Sequence, residues 1–543
     1  MKKFKRLILL LSALILVLGL ITGCGKSGKN EEQQNPWDPD NLVSAGVDDK
    51  YGACYQVFIY SFCDSDGDGI GDFNGLTSKL DYIKDLGFDS IWLLPFHQSP
   101  TYHKYDVMDY YSIDKKYGTM EDFDNFMAAC KEKNIDVYMD YVINHSSSQH
   151  KWFKTAEAYI QSLGEGEEPD YNVCPEAEYY NFTKTGGSGF SKIANSKGWY
   201  YESQFVREMP DLNLSCEKLR KEIEENVKFW CDKGIKGFRL DAALHYVEND
   251  TDASVEVLKW FKDYVYSINP DNYIVAEVWS DSSTILDFYE AGIDSYFNFP
   301  FAGGEGAFPI SVNRAGNGEG GLKLSNYVVN NYNDVKAAYA DAVDAMFIAN
   351  HDMGRAAGFL HHQSDTVKFG AGLEILSPGK AFVYYGDELG MAGSGIDENK
   401  RAPMLWSTDA TAEGMTKGPS AMQPQNHRFP ALDVQKDDPT SIYNYYKKAL
   451  LIRNAYPSIS RGVPAVMTEV TDQDGNLYAT SRTTDSETTY VIFNINEVPA
   501  TIKVSKSTYS YKDIAATLSV GEEEATLDGE EITIPAFGCV VLK

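Results

Sequence analysis

The sequence predicts an α/β fold: a (β/α)8 TIM barrel with a small domain inserted after the third strand and an antiparallel β-sandwich at the C-terminus. Three observations carry this. Eight short apolar runs recur with helix-length spacing, one connection between them is too long for a loop, and the pattern changes to alternation after residue 458. The runs are "YQVFIYSF" at 55–62, "SIWLLP" at 90–95, "DVYMDYVI" at 136–143, "GFRLDA" at 237–242, "YIVAEVW" at 273–279, "SYFNF" at 295–299, "AMFIAN" at 345–350 and "AFVYYG" at 381–386. Near-continuous apolar strands separated by helices mean a parallel sheet buried on both faces. "TSKLDYIKDLG" and "MEDFDNFMAACKEKN", before the second and third runs, have the spacing of amphipathic helices. Eight repeats favour a closed barrel, although a doubly wound sheet alternates similarly.

The long connection runs from His145 to about Ser215 and is rich in Gly, Tyr, Asn and Ser, with "KTGGSGFSK" in its middle. Such a stretch in a compact protein is usually functional or a small domain of its own. The barrel is therefore assigned to 48–144 and 216–458, and the inserted domain to 145–215. From 459 to 543, "AVMTEVTDQDGNLYATSRTTDSETTYVIFNI" and "EITIPAFGCVVLK" alternate apolar and polar residues around Gly and Asp-Gly turns, as antiparallel strands do.

The N-terminus reads as a targeting segment. Lys2, Lys3, Lys5 and Arg6 precede an apolar run from Leu7 to Leu20, and "ITGC" follows. These 14 residues are short for a bilayer span. "ITGC" resembles a bacterial lipobox. The resemblance implies a lipoprotein signal over 1–23, cleavage before Cys24, and a diacylglyceryl thioether on its sulfur. Residues 24–47 read as a solvated tether, and the expected location is extracytoplasmic, anchored to the membrane through Cys24.

A formal charge of −30 argues against nucleic acid and against polyanionic substrates, and suits a partner that is neutral. Seven cysteines follow Cys24, an odd number with no CxxC, so neither a zinc site nor a disulfide framework is indicated. Cys54 and Cys63 are open to either reading, core thiols or a pair.

Polar residues fall where a barrel places its chemistry, at the C-terminal ends of strands. The third run ends in Asn144-His145, the fourth holds Arg239 and Asp241, the fifth Glu277, and the seventh leads into Asn350-His351-Asp352. A carboxylate in an apolar strand is costly unless paired or functional. One such group can be a satisfied structural acid, which is the reading for Asp140. Three more at three strand ends, with histidines and an arginine, indicate a site.

Another acidic motif, "DSDGDGIGDFNG" at 64–75, begins like an EF-hand loop. It lacks the closing bidentate Glu, because its twelfth position is Gly75, and a strand-like run precedes it instead of a helix. A bare acidic turn is the alternative to a metal loop.

These residues resemble the α-amylase family of glycoside hydrolases. "DYVINH", "GFRLDAALH", "AEVW" and "FIANHD" are similar to its four main signatures, in order. "MPDLN" at 209–213, "GFDSIWLLP" and "YYGDELG" match three more. The resemblance implies that Asp241 is the nucleophile, Glu277 the acid/base and Asp352 a third acid that binds sugar hydroxyls. It implies that His145 and His351 bind hydroxyls, Tyr105 stacks on the sugar, Arg239 keeps Asp241 ionised and Arg355 partners the nearby acids. It also implies a structural Ca2+ held by Asp64, Asp66, Asp68, Asp72 and the Ile70 carbonyl. A second calcium is implied at Asn144, Asp211 and the His245 carbonyl, where Asn144 could equally be a brace.

Two positions depart from the family pattern. Leu244 stands where many α-amylases have a Lys, which leaves the acceptor side undefined. Tyr102 stands where exo-acting α-glucosidases have an Asp, which favours an open cleft. The expected activity is retaining cleavage of internal α-1,4 bonds in a neutral α-glucan, starch or maltooligosaccharide. The alternatives are a cyclomaltodextrinase or neopullulanase-like enzyme, a 4-α-glucanotransferase, or a starch-binding lipoprotein without activity.

Overall fold

The computed structural model describes residue 42 and residues 50–314 and 318–543. The signal segment 1–23, the lipidation position Cys24 and, apart from Leu42, the tether 24–47 lie outside the described residues.

Eight parallel strands form the barrel: β1 (Ala53–Val57), β2 (Ser90–Leu93), β3 (Asp136–Tyr141), β4 (Gly237–Leu240), β5 (Tyr273–Ala276), β6 (Ser295–Tyr296), β7 (Ala345–Met346) and β8 (Lys380–Tyr384). Pairing runs β7-β8-β1-β2-β3-β4-β5-β6, and a parallel bridge between Phe297 and Ala345 closes the circle. A parallel sheet with helices outside leaves no edge exposed.

The strands are shorter than the apolar runs that announced them. The first run leaves the sheet after Val57 and turns into a helical segment, Ile59–Phe62, instead of continuing as a strand. All four of those residues are buried. Hydrophobicity reported burial there, and burial beneath loops looks the same in sequence as burial within a sheet.

The helices have identifiable starts. Thr119 caps Met120–Glu132 in a capping box with Asp122. Phe123, Phe126 and Cys130 form its buried stripe, and Phe123 meets Phe73, Phe96 and Trp230 edge to face or tilted. Truncating one such phenylalanine to alanine costs about 3–5 kcal/mol in a core of this kind.

Between β3 and β4 the chain forms the helix Lys151–Ser162 and a three-stranded antiparallel sheet of Phe182–Thr183, Phe190–Lys192 and Tyr200–Glu202. The C-terminal part holds a five-stranded and a three-stranded antiparallel sheet. In the former, Leu477–Thr483 pairs with Thr488–Asn494 across a tight turn. Seven described cysteines are free, Cys54 and Cys63 among them, and all but Cys231 are buried. These two are therefore separate core thiols.

Candidate active site

Arg239 organises the C-terminal end of the barrel. It lies on β4, is fully buried, and its Nη1 donates to Asp140 Oδ1 at 2.7 Å and to Asp241 Oδ1 at 2.6 Å. Its Nη2 donates to Glu277 Oε2. Backbone bonds between strands fix these positions: the Asp241 amide donates to the Tyr141 carbonyl, and the Glu277 amide to the Leu240 carbonyl at 3.0 Å. Asp241 and Glu277 are the first residues beyond β4 and β5, so both leave the sheet at the same rim.

The second acidic group is held from other strands. His351 Nε2 lies 3.0 Å from Asp352 Oδ2, and Arg401 Nη2 donates to Asp352 Oδ1 at 3.0 Å. Tyr105 stacks parallel to the His351 ring, contacts its Nε2, and donates its hydroxyl to Asp140 Oδ2 at 2.9 Å. Asp140, read from sequence as a satisfied structural acid, accepts from Arg239, Tyr105 and the Trp92 indole. It is satisfied, and it also ties the two halves of the site together.

A cleft of about 500 Å3 opens over these groups, lined among others by Tyr105, His145, Asp241, Glu277, Asp352 and Trp279. His145 is buried in the cleft wall, with the Tyr105 backbone as a hydrogen-bonding neighbour. Leu244 lines the same space. Trp279 is 48% exposed and stacks on Phe299 with rings 4.9 Å apart. Two non-glycine residues with positive φ flank the site, Lys104 before Tyr105 and Ala242 after Asp241. Each costs of order 1 kcal/mol or more, and such strain persists where surrounding contacts fix the backbone.

Arg355 does not join the cleft. It is buried against Asp387 at 3.7 Å and the Tyr385 carbonyl at 2.5 Å, under the Tyr384 and Tyr385 rings. Three residues beyond Asp352 the chain has already turned away, because Arg355 stands at the start of the short helix Ala356–Phe359. Arg401 partners Asp352 in its place. Sequence reading missed Arg401 and Asp397, which pair with each other. Nor did the sequence show the partner of Tyr102, whose hydroxyl donates to Asp397 at 2.5 Å. Tyr102, Asp397 and Arg401 together form one wall. The motif "DENKR" offered two acids and two cations, but nothing in it said which faced inward.

The charges separate the acids by environment. Burial pushes the Glu277 carboxyl up to about 8, against the opposing pull of Arg239. Burial alone would raise Asp352 as well, but His351, Arg401 and Arg239 outweigh it and hold it well below the usual carboxylate range. Burial lowers His145 and His351, which favours neutral imidazoles. One acid pushed toward its protonated form, Glu277, beside another held charged, Asp352, is the pattern of general acid catalysis.

The acidic loop 64–72 brings Asp64, Asp66 and Asp72 together, with one carboxylate oxygen of each within 4.8 Å of the others. Asp68 lies outside that group, and its Oδ1 accepts from the Ile70 amide at 2.7 Å. Asp72 caps the helix Phe73–Ser78. Three clustered carboxylates supply the hard oxygen donors that calcium takes. The loop is laced to the connection after β8. The Asp64 amide donates to Gly414 O, and the Lys417 amide to Gly69 O at 2.8 Å. Just before the loop, Ser61 Oγ donates to the Arg401 carbonyl at 2.7 Å.

A second oxygen-rich cavity of about 220 Å3 is lined by Asn144, Asn181, Glu202, Asp211, His245 and Glu248, among others. Asp211 Oδ1 is buried there without a partner, and burial pushes its carboxyl up to about 7. An orphaned carboxylate among oxygen donors fits a hard cation held by Asn144, Asp211 and the residues around His245.

A barrel with three acids at strand ends and one guanidinium joining two of them defines a glycosidase-like site. Residues 56–462 match the α-amylase catalytic domain, and the chain belongs to this family of glycoside hydrolases. It is similar to Alpha-amylase 3 of Dictyoglomus thermophilum, 37% identical over 495 residues that cover 90% of this chain and 92% of that protein. Among solved structures it is similar to Eubacterium rectale Amy13B, with a TM-score of 0.90, 41% identity, and coverage of 93% of this chain and 98% of that one. Probable oligo-1,6-glucosidase 3 of Bacillus subtilis is 26% identical over 517 residues, covering 84% and 92%. Those names differ in the bond they specify, so membership defines the class of chemistry and not the linkage.

Proposed function

We propose that this enzyme hydrolyses internal α-1,4-glucosidic bonds of starch or maltooligosaccharides with retention of configuration. The observation that carries the reading is the single Arg239 guanidinium donating to both Asp241 and Glu277. One guanidinium spanning two carboxylates suits the short separation of retaining enzymes, about 5 Å, better than the about 6.5–9.5 Å of inverting ones. Asp241, oriented by its hydrogen bond from Arg239, attacks the anomeric carbon. Glu277 gives its proton to the departing glycosidic oxygen, and a covalent glycosyl-enzyme forms. Glu277, now a carboxylate, takes a proton from water; the water oxygen attacks the anomeric carbon and releases Asp241. Asp352, His351 and His145 bind the hydroxyls of the sugar being distorted, and Tyr105 covers its face. The clustered acids of the 64–72 loop, and the cavity around Asp211, would each hold a calcium ion that steadies the rim.

The Tyr102–Asp397–Arg401 wall supports a second reading, in which the non-reducing side is short and small units are released. Product analysis over time on amylose, pullulan and cyclodextrin separates the two. Mixed oligosaccharides early from amylose support internal cleavage, and glucose alone from the first time point contradicts it. Preferred attack on cyclodextrin or pullulan would favour a cyclomaltodextrinase or neopullulanase-like enzyme, and elongated products a glucanotransferase. We also propose, from "ITGC", that the enzyme is anchored through a lipid on Cys24. Fatty-acid labelling should tag the native protein, and Cys24→Ser should lose the tag and release protein to the medium.

A further inference from the structure

Gln56 lies on β1 and is 1% exposed. Its Nε2 sits 2.8 Å from His351 Nδ1, at the base of the site. A side-chain amide nitrogen can only donate, so His351 Nδ1 must accept. A neutral imidazole that accepts at Nδ1 carries its proton on Nε2. That nitrogen faces Asp352 Oδ2 at 3.0 Å and the Tyr105 hydroxyl oxygen. Tyr105, whose oxygen is then free to accept, spends its own proton on Asp140 Oδ2. The bonds therefore run in one direction: Gln56 to His351, His351 to Asp352 and Tyr105, Tyr105 to Asp140.

We propose that Gln56 is a positioning residue that fixes the polarity of this chain by holding His351 as the Nε2–H tautomer. The reverse polarity would set an imidazole lone pair against an ionised carboxylate, or require a buried imidazolium. The charged and titratable groups around His351 are Asp352 and Tyr105 in contact, with Arg401 and Arg239 beyond them and Asp140 behind Tyr105. The Trp92 ring closes another side, 5.7 Å away and edge-on. Gln56 supplies the bond on the remaining ring nitrogen, which burial at 0% exposure cuts off from water.

The test has two arms. In native enzyme carrying 15N-labelled histidine, His351 is assigned by comparison with His351→Asn, and its nitrogen shifts are read near neutral pH. A lone-pair Nδ1 and a protonated Nε2 are expected; a protonated Nδ1 overturns the proposal whatever any variant does. The second arm compares Gln56→Glu with Gln56→Met. Glutamate keeps the shape but accepts instead of donating, so Nδ1 gains a proton, and either the Nε2 lone pair faces Asp352 or the imidazole becomes a buried cation. Methionine fills the space without a hydrogen bond. Each is expected to lose about tenfold or more in kcat/KM, the scale of a lost buried hydrogen bond. Gln56→Glu should also show a new ionisation in its pH profile. Native kcat/KM in Gln56→Glu would overturn the proposal, because a merely structural role tolerates a carboxylate of the same shape. The kinetic arm rests on His351 and Asp352 binding the substrate. Absence of turnover in the native protein would refute the hydrolase reading and leave the native spectrum as the test of Gln56.

Discussion

The cleft and the 64–72 loop both gather carboxylates, and they settle the repulsion differently. In the cleft, Arg239 and Arg401 are buried side chains that pair with Asp140, Asp241, Glu277 and Asp352 from within. In the loop, among the described residues, no lysine or arginine pairs with Asp64, Asp66 or Asp72. Lys417 donates to the Asp68 carbonyl instead, at 3.3 Å. Backbone amides satisfy part of the demand: Asp64 accepts from the Asp66, Gly67 and Gly69 amides. Amides orient carboxylates but carry no full charge. A site that must change its charge during a reaction carries its own cations, while a site that only needs holding can borrow one from solution.

The largest expected effects lie in the cleft. Asp241→Asn should lower kcat by several orders of magnitude with unchanged circular dichroism, since a nucleophile is lost and no core group is removed. Glu277→Gln should be nearly as slow on ordinary glucans. It should recover its first step on a substrate whose leaving group needs no proton. Near-native turnover in either variant would dissolve the contrast between cleft and loop, because the buried cations would then serve structure alone.

Next in size is the pH dependence. Glu277 must be protonated to act as an acid, so activity should fall as pH rises through about 8. The same shift bears on stability. The folded state binds this proton more tightly than the unfolded state, whose glutamate titrates near about 4.3. The contribution to stability is therefore full below the unfolded value and is lost as pH rises toward about 8. Glu277→Gln should flatten that part of a melting-temperature profile. An unchanged slope would show that the burial of this carboxyl does not set its titration.

How much of this was legible in the sequence depended on how far apart the partners lie. Asp241 and Glu277 were legible because each follows a strand directly, and barrel strands announce themselves through apolar runs. Arg239 was legible for the same reason, being two residues from Asp241 on one strand. Arg355 misled because nearness along the chain stood in for nearness in space. The Tyr102–Asp397–Arg401 wall was hidden, because it joins residues almost 300 positions apart and its later half lies in a connection without periodicity. The acidic loop was half legible: alternating acids showed a metal-loop pattern, but only the folded backbone separates Asp68 from the cluster of Asp64, Asp66 and Asp72.

A smaller effect is expected at the loop. Chelation should lower the melting temperature by a few degrees, since a ligand at a hundred times its Kd stabilises by about 2.7 kcal/mol. Asp66→Ala should reproduce the loss and blunt further chelation. Because Ser61 bonds the Arg401 carbonyl, metal removal should also raise KM modestly. An unchanged melting temperature, in protein shown by elemental analysis to have lost its metal, would remove the loop's half of the comparison. Smallest of all, Tyr102→Phe removes one hydroxyl from the Asp397 wall, and KM should rise about two- to fivefold with kcat nearly constant.

The central claim is that Asp241 and Glu277, joined by Arg239, act as nucleophile and acid/base on opposite steps of one displacement pair. Proton NMR of the anomeric region in the first seconds of maltooligosaccharide hydrolysis tests it most directly. The account predicts that the α-anomer of the new reducing end appears first and mutarotates later. A β-anomer appearing first would mean a single displacement by water, and the nucleophile assigned to Asp241 would be wrong.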